Sequence, residues 1–124
     1  MSNVKILETK YVLAVQDLEK SVDYYKTKLG FTTRWTDSVG WHCLERDGIV
    51  VMLGECKDDR SAFETANHSY FAYINVENID ALHEEFVAKG CDIMNKLANK
   101  PWGLREFGLR TIDGHRMMFG QELN

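Results

Sequence analysis

The sequence predicts an α+β fold: two tandem β-α-β-β-β modules whose mixed, curved sheets form a cleft. Three observations lead there. The chain is written twice: Asp47-Gly48, Met52 and Gly54 recur as Asp113-Gly114, Met118 and Gly120, each 66 positions later, in the stretches DGIVVMLGE and DGHRMMFGQ. Upstream of each copy lies a short apolar run, then apolar residues at helical spacing that stop at Gly30 or Gly90. Finally, 124 residues suffice for one core but not for two independent ones. The chain therefore reads as one domain over residues 1–124, with module one at about 8–56 and module two at about 69–122. A repeated unit that cannot bury its apolar face alone pairs with a copy, and the seam between copies is a natural place for a ligand.

Tyr11 to Val15 is an apolar run of strand type. Asp17 is a candidate N-cap, and Glu19 in the first turn suits the positive end of a helix dipole. Leu18, Val22, Tyr25 and Leu29 then mark one helical face, and Gly30 stops it. Phe31 to Thr36 and Trp41 to Arg46 read as strands, Asp47-Gly48 as a tight turn, and Ile49 to Leu53 as the closing strand. Glu55 to Ser69 is a polar linker. Tyr70 to Val76 repeats the first strand. Asn78 is the second candidate cap, and Ile79, Leu82 and Phe86 form the second helical face. Cys91 to Met94 is the next strand, and Asn95 to Gly103 reads as a loop holding the only proline, Pro101. Leu104 to Arg110 and His115 to Phe119 complete the module.

A net charge of −4 without any Lys/Arg block argues against nucleic-acid binding. Cys43, Cys56 and Cys91 are odd in number and form no CxxC pair, so they suit a reducing compartment rather than a zinc knuckle. No apolar stretch of about 18 residues occurs, so a cytoplasmic protein without a membrane partner is expected.

Strand alternation assigns faces. Val51, Leu53, Met117 and Phe119 pack under the helices, while Val50, Met52, Arg116 and Met118 face the cleft. Carrying the 66-residue offset into the preceding strand puts Trp41, Cys43, Phe107 and Leu109 in the core. The same offset puts His42, Leu44, Gly108, Arg110 and Glu106 in the cleft, joined by Lys10, Val12, Ala14, Phe71, Tyr73 and Asn75 from the first strands. A register slip of one residue would invert this assignment.

The helix stretch LEKSVDYYKTKLGF and the segment KPWGLREFGLR before DGHR resemble the glyoxalase, bleomycin-resistance and dioxygenase superfamily, the vicinal oxygen chelate fold. The PWG…REF…DG run looks most like the bleomycin-resistance branch. The resemblance covers essentially the whole chain. It implies a homodimer with clefts between halves, and a ligand that is sequestered rather than modified. Enzymatic members hold a divalent ion with His and Glu ligands, at positions that here carry Lys10, Met52, Phe71 and Met118. An ammonium, a phenyl ring and two thioethers do not suit a hard cation. The sequence therefore reads as a metal-independent, cofactor-free binder of a small antibiotic-type molecule, cationic or aromatic. Trp35, Phe71, Tyr73 and Trp102 supply aromatic faces. Met52, Met118 and Leu44 supply apolar lining, and His42, Glu106 and Arg110 supply polar groups. His68, His83 and His115 read as solvent-facing. The alternative is a lyase or isomerase related to glyoxalases and dioxygenases, with His42 and Glu106 as its acid–base pair. A weaker reading is a scaffold that has lost its ligand.

Overall fold

The structure is a computed structural model that describes residues 7–64 and 70–124. Module one runs β1 (Tyr11–Val15), α1 (Leu18–Thr27), β2 (Thr32–Thr36), β3 (Trp41–Arg46) and β4 (Ile49–Glu55). A short 3-10 turn at Ala62–Glu64 precedes module two: β5 (Tyr70–Asn75), α2 (Ile79–Ala88), β6 (Asp92–Asn99), β7 (Leu104–Arg110) and β8 (Arg116–Glu122). Each module builds one mixed four-stranded sheet, in the orders β1-β4-β3-β2 and β5-β8-β7-β6. In both, the first strand runs parallel to the last and the remaining pairs are antiparallel.

Local chemistry explains both helix starts, differently. Asp17 caps α1 as expected, its carboxylate accepting from the Lys20 N–H at 3.1 Å. Asn78 does not cap α2 with its side chain. It sits in a left-handed conformation (φ 59°), and Gln121 accepts from the Ile79 N–H at 2.8 Å instead. Gly30 and Gly90 follow the helices at φ 78° and 74°, the left-handed region where a Cβ is costly. The expected Asn95–Gly103 loop is mostly strand. β6 continues to Asn99, and only Lys100 to Gly103 form the turn into β7.

One apolar cluster unites both modules. Leu13, Val15, Val51 and Leu53 of the first sheet, Phe107, Leu109, Met117 and Phe119 of the second, and Tyr25 and Phe86 of the helices all belong to it. Polar contacts brace the same seam. Arg46 bonds Glu85 bidentately at 2.7 and 3.1 Å, and the Ser21 hydroxyl donates to Asp113 at 2.7 Å. Each helix packs on one face of its own sheet, and that face joins the shared core, while the other face of each sheet carries no helix.

Candidate ligand-binding faces

Register places the open-face residues in rows. Across the first sheet, Val12, Met52, Cys43 and Trp35 are successive partners, and Ala14, Gly54 and Trp41 form the next row. Across the second sheet the rows are Tyr73, Met118, Gly108 and Asn95, then Asn75, Gly120, Glu106 and Ala98. Met52 and Met118 therefore occupy matching central positions, as expected, and Trp35, Tyr73 and Glu106 also lie on open faces.

Each face lays an aromatic ring over a glycine of its last strand. A Cβ at Gly54 would stand 2.7 Å from the Trp41 ring, and one at Gly120 would collide with the Tyr73 hydroxyl. Glycine at both places lets the ring lie flat on the sheet. The Tyr73 hydroxyl donates to Glu106 at 2.7 Å. Glu106 is only 5% exposed, whereas Tyr73 is 44% exposed, so a buried carboxylate sits beneath an accessible ring. Burial, reinforced by the Glu106 carboxylate, pushes the Tyr73 phenol well above its ordinary range. Gly108 makes room in the same way for Asn95 and for the Met118 sulfur, which would stand 3.0 Å from a Cβ there. The Asn95 side chain accepts from the Tyr70 hydroxyl at 2.6 Å.

Several expected site residues lie elsewhere, most of them in β3, where the phase is inverted. Trp41 and Cys43 are on the face away from the helix, where Cys43 is nevertheless fully buried as expected, and His42 and Leu44 are on the helix side. The cause is the hairpin length. Gly54 faces Trp41 and Gly120 faces Glu106, so the repeat spans 65 positions in β3/β7 but 66 in β4/β8. The second hairpin holds one extra residue between Arg110 and Arg116. Leu44 is consequently fully buried core rather than cleft lining, and Trp41 is 39% exposed rather than core. His42 bonds the Thr33 hydroxyl at 2.8 Å. Desolvation, with Lys26 nearby, holds its imidazole below the ordinary range. His42 and Glu106 thus belong to different sheets and to opposite faces, which separates the expected acid–base pair.

Phe71 also leaves the cleft. The β5 ladder shifts between Tyr70 and Ala72. Phe71 packs against the core, edge-on to Tyr11 at 5.5 Å and His115 at 6.1 Å. Arg110 pairs with Asp92 at 2.9 Å and lies 5.2 Å over the Phe63 ring, not beside Glu106. Trp102 is at the tip of the β6–β7 turn, 63% exposed. His115 is half-buried, and burial lowers its pKa. His83 rests edge-on against Phe107 at 5.2 Å. Neither is solvent-facing as expected, and His68 lies outside the described residues.

The donor set does not fit a divalent metal. Met52 and Met118 offer thioethers, Phe71 packs half-buried against the core, and the Lys10 ammonium is 3.5 Å from Glu8. Among the described residues no group of three or more His, Cys, Asp or Glu could hold an ion. Nor, among them, is any helix long and apolar enough to cross a membrane.

The profile of the Glyoxalase/Bleomycin resistance protein/Dioxygenase superfamily matches residues 9–119. The chain belongs to this superfamily. It is 26% identical over 119 residues to the uncharacterized protein YraH of Bacillus subtilis (strain 168), covering 87% of each chain. Its fold is similar to that of a glyoxalase/bleomycin resistance protein/dioxygenase from Alicyclobacillus acidocaldarius, with a TM-score of 0.80, 18% identity and 94% and 92% of the two chains covered. It is also similar to the bleomycin-binding protein of bleomycin-producing Streptomyces verticillus, solved with copper(II)-bleomycin. There the TM-score is 0.70 and the identity 26%, with 94% of this chain and 96% of that one covered. Superfamily membership thus agrees with the motif-based expectation, and so does the α+β architecture.

Proposed function

We propose that the protein binds and sequesters a small antibiotic-type molecule, cationic or aromatic, on its open sheet faces without a metal or cofactor. One observation carries this reading: the nearly buried Glu106 carboxylate lies under the exposed Tyr73 ring, beside Met118. A ring over a fixed negative charge attracts a cation through both its face and the carboxylate. A thioether next to it adapts to an irregular apolar surface. Trp35 and Trp41 offer stacking faces on the other sheet. Likeness to the bleomycin-binding protein supports the same ligand class.

The face without a helix on each sheet could form one wall of a cleft whose second wall comes from another copy. We therefore read the working form as a homodimer, and its compartment as the cytoplasm. Thermal melting of metal-stripped protein, with a bleomycin-type drug or with divalent metals, tests the proposal. At a free drug concentration of 100 Kd, stabilisation of about 2.7 kcal/mol is expected. Metals alone should leave the melting temperature unchanged. Stabilisation by about one metal ion per chain, without any response to drug, would overturn it.

A further inference from the structure

A cavity of about 800 Å³, open on one side, lies where the β3–β4 hairpin of module one meets the start of α2, and Tyr73 and Asn75 of β5 line its edge. Its floor comes from both modules. Leu29, Phe31, Phe86 and Phe119 are core residues, and Ile74 and Leu82 form a half-buried wall. The size suits a small-molecule ligand.

The rim has a definite charge. Asp47, Glu77 and Glu85 line it against a single guanidinium, Arg46. That guanidinium is already engaged: it is bidentate to Glu85 and also donates to the Leu29 carbonyl at 2.8 Å. Glu77 makes no ion pair among the described residues. The Asn78 side chain, on the same rim, is released from capping because Gln121 takes the Ile79 N–H. Lys89 lies 4.0 Å from the same Glu85 carboxylate, so Glu85 is matched by Arg46 and Lys89, while Asp47 and Glu77 have no ion pair among the described residues; an apolar floor beneath those two carboxylates selects a hydrocarbon body carrying a positive head group. A carboxylate head would meet like charges.

We propose that this seam cavity is a second binding site, for an amphiphilic amine. Its hydrocarbon chain lies on the Leu82–Phe119 floor and its ammonium group lies between Glu77 and Asp47. The cavity meets the open face of the second sheet at Tyr73 and Asn75, but its floor and acidic rim lie beyond that face, and the assignment does not rest on the function proposed for the sheet faces.

Isothermal titration with octylammonium, octanoate and octanol tests the assignment on the wild type and on Ala81→Trp, Glu77→Lys and Glu106→Gln. Ala81 and Glu77 line the cavity but are exposed, so both substitutions spare the core; circular dichroism checks the folding of every variant. Octylammonium should bind once per chain, at least about tenfold tighter than octanoate or octanol. Ala81→Trp, which fills the mouth, should weaken it by at least about tenfold, and Glu77→Lys by about fivefold. Glu106→Gln should leave it unchanged. Equal binding of octanoate, or undiminished binding to Ala81→Trp, would overturn the proposal. Loss of amine binding in Glu106→Gln alone would place the amine on the open sheet face and overturn it too.

Discussion

Tyr73→Phe removes one oxygen from the open face of the second sheet and leaves the ring in place. The lost interaction is a 2.7 Å hydrogen bond to Glu106. Bonds to a charged partner contribute about 1.5–3 kcal/mol, and a buried acceptor left without its donor bears the cost of its own desolvation. Glu106 is 5% exposed, which argues for the full loss. Tyr73 is 44% exposed, so water replaces part of the bond, and the lower part of the range applies. The expected destabilisation is therefore about 1.5–2 kcal/mol. For a chain of 124 residues that corresponds to a melting temperature lower by roughly 6–8 °C. Urea unfolding of Tyr73→Phe, Glu106→Gln and the double variant isolates the pair, since the coupling term removes the separate effects of each change. A coupling of about 1 kcal/mol or more is expected. A value near zero would show that the hydroxyl and the carboxylate do not hold each other, and would remove the fixed charge from the binding surface.

Two further outcomes follow from where side chains lie. Leu44→Ala should cost about 2–5 kcal/mol in chemical denaturation, because Leu44 is fully buried among the core residues; a change under about 1 kcal/mol would restore it to the cleft. Burial pushes the Asp113 carboxyl above its ordinary range, against the pull of the Ser21 bond and of neighbouring His115 and Lys20, while Asp17 adds to the rise. A raised carboxyl pKa in the fold means the stability linked to its protonation is complete below the unfolded value near 4, and is lost as pH rises through the folded value. Wild type should therefore gain stability relative to Asp113→Asn as pH falls from about 7 towards about 4. A pH-independent difference would contradict the assignment.

The parts of the fold that could be read in the sequence were those fixed by short-range chemistry. Asp17 announced the start of α1, Gly30 and Gly90 announced the helix ends, and the duplicated Asp-Gly turns located both last strands. Met52 and Met118 were correctly matched because β4 and β8 repeat without a slip. The errors came from events that periodicity does not encode. One residue more in the second hairpin inverted β3 relative to its copy, exchanging the faces of Trp41 and Cys43 with those of His42 and Leu44, although Cys43 is buried all the same. A ladder shift beside Phe71 turned that ring against the core. Asn95 to Asn99 lack a strong apolar alternation, yet they pair with β7 across the sheet. The seam cavity left no local signature, since its walls are separated by up to 108 positions, from Tyr11 to Phe119.

The unequal hairpins also set a rule for anyone who would make the two halves alike. A symmetrical version cannot be written by copying one half onto the other at a fixed distance. Positions that coincide in space are 61 apart in the first strands (Val12 and Tyr73), 65 apart in the third (Trp41 and Glu106), and 66 apart in the last (Gly54 and Gly120). A graft of the acidic, ring-covered surface onto the first sheet therefore needs Val12→Tyr together with Trp41→Glu, with Gly54 already in place to receive the ring. Moving Glu106 by the apparent repeat would put the carboxylate on Gly40, ahead of the strand altogether.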